Sequence, residues 1–185
     1  MSVRTVQDAF IFDLSMAYAG ERVAAEVIDR CARETSDNRA RMLLGLHAEE
    51  IRAQIKGIDQ MLMMLGATPQ NVRCPVIEGV RDELEQFRQQ DPAPEFLAAT
   101  TLFGTVKINH SAMDTYALLV DKAMLMGQTD VALMLTTICK QKEDTAGMAH
   151  RLMHEILLEC TGDASDALSQ LAAAGGSRTM AGASA

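Results

Sequence analysis

Glu21, His47, Glu50 and His110 are the residues of this chain whose types and spacing suit metal chemistry, and Lys142 is the residue that argues for another use of them. Glu21 sits in the middle of an apolar stripe formed by Phe10, Leu14, Ala17, Ala24, Ile28 and Cys31. The steps alternate four and three, the period that keeps one side of a helix against a partner. A carboxylate on such a stripe costs several kcal/mol of desolvation unless something opposite compensates it. A metal ion, a cationic side chain or a shared proton can do so. His47 and Glu50 stand one turn apart on the following helix and can aim at one point.

The heights agree. Glu21 lies about fifteen residues before the first predicted interhelical turn and Glu50 about fourteen after it, so at about 1.5 Å per residue they share a level. In the second half of the chain Asn109 and His110 precede a turn by about seventeen residues, and Gln141 and Lys142 follow it by about fourteen. One slice of a bundle therefore collects Glu21, His47, Glu50, Asn109, His110, Gln141 and Lys142. Carboxylates and imidazoles from four helices at one level are how bundles build a dinuclear iron or manganese centre, with a usual complement of four carboxylates and two histidines. Here Lys142 brings an ammonium group instead. The preferred reading is a buried ion cluster of Glu21, Glu50 and Lys142, with His110, Asn109 and Gln141 completing the hydrogen bonds. The alternative is a weakly held iron or manganese ion on Glu21, His47, Glu50 and His110.

The elements that must hold this layer can be read from periodicity. The first helix is predicted over Gln7 to Glu34, with Thr35-Ser36-Asp37-Asn38 as a break containing the next N-cap. The second runs to about Leu65 on Leu44, Ala48, Ile51, Ile55, Ile58, Leu62 and Leu65, and Gly66-Ala67-Thr68-Pro69 ends it. So short a turn makes an antiparallel hairpin. A connection over residues 67–93 contains a short helix opened by Pro75, with Ile77, Val80, Leu84 and Phe87 toward the bundle.

After Asp91-Pro92-Ala93-Pro94, a third long helix is predicted from Glu95 to Met126 on Phe96, Ala99, Phe103, Val106, His110, Met113, Ala117, Val120 and Met124. Gly127 ends it, and a fourth runs from Asp130 to Glu159 on Val131, Met134, Ile138, Gln141, Thr145, Met148 and Leu152. Two hairpins joined by one long crossover give an all-α, ferritin-like four-helix bundle over residues 1–161. The Ala/Gly/Ser-rich tail, 162–185, is expected to be disordered at its end, with Ala167 to Leu171 able to extend a helix.

Composition agrees with this and excludes several function classes. The chain has 185 residues, 4% aromatics and no Trp, and is rich in helix formers. A net charge of −8 and a pI near 5.0 argue against a nucleic-acid surface, and no basic run marks an anionic-membrane patch. The opening residues lack a signal-peptide pattern, and no stretch reaches the roughly 18 apolar residues of a membrane span. The four cysteines are far apart, so buried reduced thiols in a cytoplasm are expected.

His150 and His154, with Glu143 two turns earlier, can hold a surface Zn²⁺ but read better as a solvated face. The thirteen methionines include Met61, Met63, Met64, Met124, Met126 and Met134, predicted at one pole as core filling and in part as a dimer contact. Asp82, Glu83 and Glu85 read as a solvated face, and no phosphate loop, nucleophile elbow or CxxC pattern appears.

Several motifs together resemble the YciE/YciF-like family of ferritin-like bacterial stress proteins, over roughly residues 8 to 158. Tyr18-Ala19-Gly20-Glu21 resembles its Ala-x-Glu, and His47 through Gln54 its H-L-x-E-T-x-x-Q. Cys74-Pro75-Val76-Ile77-Glu78-Gly79 is similar to its C-x-x-M-E-G, and Tyr116 and Gly127 fit the end of its third helix. The resemblance implies a four-helix bundle, often dimeric, with a dinuclear non-haem metal site and a ferroxidase role linked to stress. Glu21, His47 and Glu50 match that pattern. Asn109 and Ala112 stand where the family has E-x-x-E, and Gln141 and Lys142 where it has paired glutamates.

The expectation is thus a cytoplasmic homodimer with a depleted dinuclear site, acting as a structural or interaction protein in a stress setting. The enzymatic alternative is a di-iron or di-manganese bundle that oxidises Fe(II) or consumes peroxide. A third is an adaptor tethered through its tail to an unidentified protein partner.

Overall fold

The first two helices begin on side-chain caps and the next two on prolines. α1 (Val6–Glu34) opens on a capping box, in which the Thr5 hydroxyl accepts from the Asp8 amide at 3.0 Å and the Asp8 carboxylate accepts from the Thr5 amide at 3.0 Å. The Asp37 carboxylate caps α2 (Asn38–Met64) by accepting from the amides of Arg39 and Ala40. Pro75 and Pro94 start α3 (Pro75–Arg88) and α4 (Pro94–Leu125), where a missing N–H costs nothing. α5 is Thr129–Thr161. Gly66, where α2 runs into the crossover, and Gly127, at the turn between α4 and α5, adopt φ of +68° and +70°, a conformation that favours glycine. The computed structural model describes residues 3–161; the expectations for the tail, including Ala167 to Leu171, lie outside the described residues.

The chain is an all-α, ferritin-like bundle. α1 and α2 form one antiparallel hairpin and α4 and α5 the other; α1 packs on α4, α2 on α5, and α3 lies across α1 and α4. The predicted helix bounds agree within two residues at each end. The interior is two apolar blocks, with Phe10, Leu14, Ile58, Leu119 and Leu135 in one and Ile28, Leu44, Ile51, Leu102 and Ala149 in the other. Between them lie the buried polar residues Glu21, Gln54, Asn109 and Lys142.

The seams of α1 and α2 fall where the periodicity puts them, with Ala17, Ile55 and Leu65 only partly buried. Those of α4 and, toward its C-terminal half, α5 are offset by one residue. On α4 the buried stripe is Leu102, Thr105, Asn109, Tyr116, Leu119 and Ala123, while Phe103, His110, Ala117 and Met124 are exposed. α4 is apolar on nearly every side, so periodicity alone cannot choose its inner face. Phe96, Phe103, Leu118, Met124 and Leu125 point outward, while Leu102, Ile108, Tyr116 and Leu119 are buried together with small and polar residues. On α5, Lys142 and Ala149 are buried where Gln141 and Met148 were expected on the seam.

Candidate functional site

The offset in α4 and α5 decides the composition of the polar layer. Lys142 comes inward, fully buried, and its Nζ lies 2.6 Å from Glu21 Oε2, with Glu21 itself 4% exposed. The other Glu21 oxygen, Oε1, accepts a hydrogen bond from the Tyr116 hydroxyl at 2.8 Å. One carboxylate from α1 thus joins an ammonium from α5 and a phenol from α4 (Tyr116 is 1% exposed). Burial, then the Glu21 charge and hydrogen bond, push the Tyr116 hydroxyl well above its ordinary range, so it stays a neutral donor.

The second carboxylate is held differently. Glu50 Oε2 lies 3.1 Å from His47 Nδ1 and accepts from the Thr145 hydroxyl at 3.1 Å, while a quarter of its side chain remains exposed. Burial opposes ionisation of Glu50, but the hydrogen bonds from His47 and Thr145 and the charge of Lys142 outweigh it and hold its carboxyl below the usual range. Burial, which the Glu50 hydrogen bond does not overcome, keeps the His47 imidazole below its usual pKa. The neutral ring then donates from Nδ1 to Glu50. That leaves His47 Nε2 buried with no protein partner among the described residues. Alongside, Gln54 Nε2 donates to Gln141 Oε1 at 3.0 Å, and Asn109 is fully buried with both amide atoms unpartnered among the described residues.

Of the sequence-predicted residues, the structure therefore brings Glu21, His47, Glu50, Gln141, Asn109 and Lys142 into the interior layer or its edge, and leaves His110 exposed on the outer side of α4. Tyr116 and Thr145 are hydrogen-bonding members that acid-and-histidine reasoning passed over. Tyr116 stands seven residues, two turns, after Asn109, so the correct seam of α4 would have found it. As donors for two divalent ions the set is a poor fit, because an ammonium neutralises Glu21 and the flanking positions are the uncharged Asn109 and Gln141. No three His, Cys, Asp or Glu side chains among the described residues converge on one point. His150 and His154 meet edge to face, 4.7 Å between centroids, while Glu143 pairs with Lys140 at 2.9 Å.

Gly20 brings the crossover against this layer. A Cβ there would lie 3.0 Å from Cys74 Sγ and 3.4 Å from Ile77 Cγ1, so a side chain would crowd Cys74 at the start of α3. Beside the contact is a cavity of about 90 Å³ between α1, α3 and α4, floored by Glu21 and Tyr116 and walled by Cys74, Ile77 and Ile108. The Cys74 thiol is pushed up by burial and by the charge of Glu21. Gly20, Glu21 and the Cys74 motif, distant in sequence, are thus one packing unit.

Comparisons with known proteins fit this architecture. Residues 5–161 match the family described as Domain of unknown function (DUF892). Protein YciF of Escherichia coli strain K12 is 25% identical over 146 residues, covering 78% of this chain and 88% of that protein. The crystal structure of the E. coli stress protein YciF superposes with a TM-score of 0.79 at 23% identity, over 84% of this chain and 98% of the other. YcfI of Rhodopseudomonas palustris, named as a candidate structural protein, gives 0.77 at 22% identity over 80% and 95%. A protein of Xanthomonas campestris gives 0.69 at 17% over 85% and 97%. At these identities the structural likenesses show the fold.

Proposed function

The chain belongs to the family described as Domain of unknown function (DUF892), and from that premise we propose that it is a homodimeric, stress-associated bundle acting as a structural or interaction protein. Its polar layer holds no resident cofactor beyond a weakly bound iron or manganese ion, because the protein's own ammonium occupies the electrostatic role of the metal. The observation that carries this reading is the fully buried Lys142 Nζ at 2.6 Å from Glu21. A divalent ion placed there would meet a fixed positive charge instead of a ring of carboxylates. The names of the relatives, a stress protein and a candidate structural protein, support the stress and structural parts of the proposal.

For the dimer contact we propose the methionine pole. Met63, Met64, Met124 and Leu125 are exposed at the ends of α2 and α4, and Met64 and Met126 line one recess there, whereas Met61 is core. Exposed apolar clusters of this kind mark association surfaces. Among the described residues no helix is long and apolar enough to cross a membrane. A cytoplasmic setting is proposed on the strength of four free thiols.

A second reading, a metal-dependent bundle that oxidises Fe(II) or consumes peroxide, is favoured by the unpartnered His47 Nε2 beside Glu50. Elemental analysis of the full-length protein from iron- and manganese-supplemented growth separates the two. The expected content is a small fraction of one ion per chain, a result that would reject the second reading. Two ions per chain would reject the proposal.

A further inference from the structure

Close-packed interiors leave few voids larger than a water molecule. The space between α1, α3 and α4 is one, at about 90 Å³, walled by Met16, Ala17, Cys74, Ile77, Ile108 and Ala112. Its origin is local. Gly20 and Ala112 face it with side chains too small to fill it, and Cys74 and Ile77 close it from α3. Val76, next to Cys74, also lines it and is 59% exposed, so the space reaches solvent at the start of α3.

The polar floor narrows what can enter. Glu21 has one oxygen on the Lys142 ammonium and the other on the Tyr116 hydroxyl. As a unit the Glu21–Lys142 pair is neutral. An anion would meet the Glu21 carboxylate, and a cation would find that carboxylate already paired; either would exchange its hydration for a mostly apolar wall. Tyr116 is different. Its hydroxyl gives its proton to Glu21 at 2.8 Å and keeps oxygen lone pairs that can accept a further hydrogen bond. The charge of Glu21 acts on both the Cys74 thiol and the Tyr116 hydroxyl, as expected if wall and floor face one space.

Size and lining complete the description of an occupant. An apolar cavity of roughly 150 Å³ takes benzene, so about 90 Å³ takes roughly four or five non-hydrogen atoms. A half-enclosed apolar pocket with one or two convergent polar groups is the usual form of a small-molecule site.

We propose that this cavity binds a small neutral molecule with a branched apolar body and one hydrogen-bond donor, in class an aliphatic alcohol. The body lies against Ile77, Ile108 and Ala112, and the donor is accepted by the Tyr116 oxygen. Because Tyr116 donates in turn to Glu21, and Glu21 is paired with Lys142, the guest is linked to the polar layer without displacing any of its members. The site requires neither the methionine-pole dimer nor a metal ion.

The test is an amide NMR titration of the full-length protein with isobutanol. Saturable shifts are expected at Gly20, Cys74, Ile77 and Tyr116, with a dissociation constant on the order of millimolar for so few atoms. Isobutyronitrile has the same number of non-hydrogen atoms but can only accept, and should bind at least tenfold more weakly. Isobutyrate and isobutylammonium should give no saturable shifts at these residues. Ala112→Met, which fills the space from α4, should abolish the isobutanol shifts with helicity unchanged; Ala17→Leu repeats the test from α1 should the first variant not fold. Isobutanol shifts that do not saturate, or that fall only elsewhere on the surface, overturn the proposal. So does nitrile binding as tight as the alcohol's, or isobutanol binding that survives the filled cavity.

Discussion

Glu21 and Glu50 are the same kind of residue at one level of one bundle, yet they are treated in opposite ways. Glu21 is dry, with each oxygen assigned to a donor: an ammonium for one and a phenol for the other. Glu50 keeps a quarter of its side chain in solvent and works through a neutral imidazole and a hydroxyl, and that imidazole has a buried nitrogen left over. A buried carboxylate whose two oxygens are already taken by an amine and a phenol has no capacity for an added ligand. One that is part exposed and held by an imidazole and a hydroxyl keeps some. The layer is therefore structural at its α1–α4–α5 corner and chemically open at its α2–α5 corner.

The largest expected effect comes from breaking the closed corner. Lys142→Met leaves Glu21 buried and uncompensated except for Tyr116, and should lower stability by about 3–5 kcal/mol, the range for a broken buried pair. Urea denaturation measures it. Adding Glu21→Gln should recover most of the loss, because a neutral amide can still accept from Tyr116 and no longer carries a charge into the core. Should Lys142→Met leave the midpoint unchanged, Glu21 is not held by Lys142 and the contrast between the corners disappears.

The first hairpin was the legible half of the molecule. Its helices alternate clean apolar stripes with polar faces, so the inward position of Glu21 follows from period alone, and the spacing of His47 and Glu50 about the turn follows from rise per residue. The second hairpin was harder because α4 is apolar nearly all round. Taking Phe103, Ala117 and Met124 as interior placed the seam one residue late and with it His110 in place of Asn109. On α5 the same offset put Gln141 on the seam, although the spacing argument had already brought Lys142 to the right height. Tyr116, whose hydroxyl completes the Glu21 corner, was not legible as a donor until that face was known. Close approach, such as Cys74 against Gly20, leaves no periodic signal at all.

The open corner should respond to pH. His47 is held neutral in the fold, below its usual 6.5, so the unfolded chain takes up a proton first as pH falls past 6.5. Its contribution to stability is full above that value and is lost as pH falls toward the folded pKa. Glu50, also held below its usual 4.5, contributes fully above that pH and loses its contribution as pH drops through its own folded pKa. Urea midpoints should therefore decline from pH 6.5 downward and again below 4.5. His47→Gln should flatten the first decline and spare the second. A first decline unchanged in His47→Gln would assign the proton uptake elsewhere and leave His47 without a part in the pH response of the open corner.

The smallest effect sharpens the comparison at Asn109, which stands between the corners. Its amide is fully buried and neither polar atom has a partner among the described residues. An unpaired buried amide costs about 1–3 kcal/mol, so Asn109→Leu, close in volume, exchanges that cost for apolar contact with the two core blocks. The expected result is a midpoint equal to or slightly above that of the parent, by up to about 1 kcal/mol, in contrast to the large loss at Lys142. The logic is that a polar residue inside the layer stabilises it only when its hydrogen bonds are made, and Asn109, unlike Glu21, makes none with protein. A loss of about 1 kcal/mol or more in Asn109→Leu would show instead that the amide is hydrogen-bonded through ordered water. The boundary between closed and open corners would then run through a solvated interior, and Lys142 would be less dry than Glu21's burial implies.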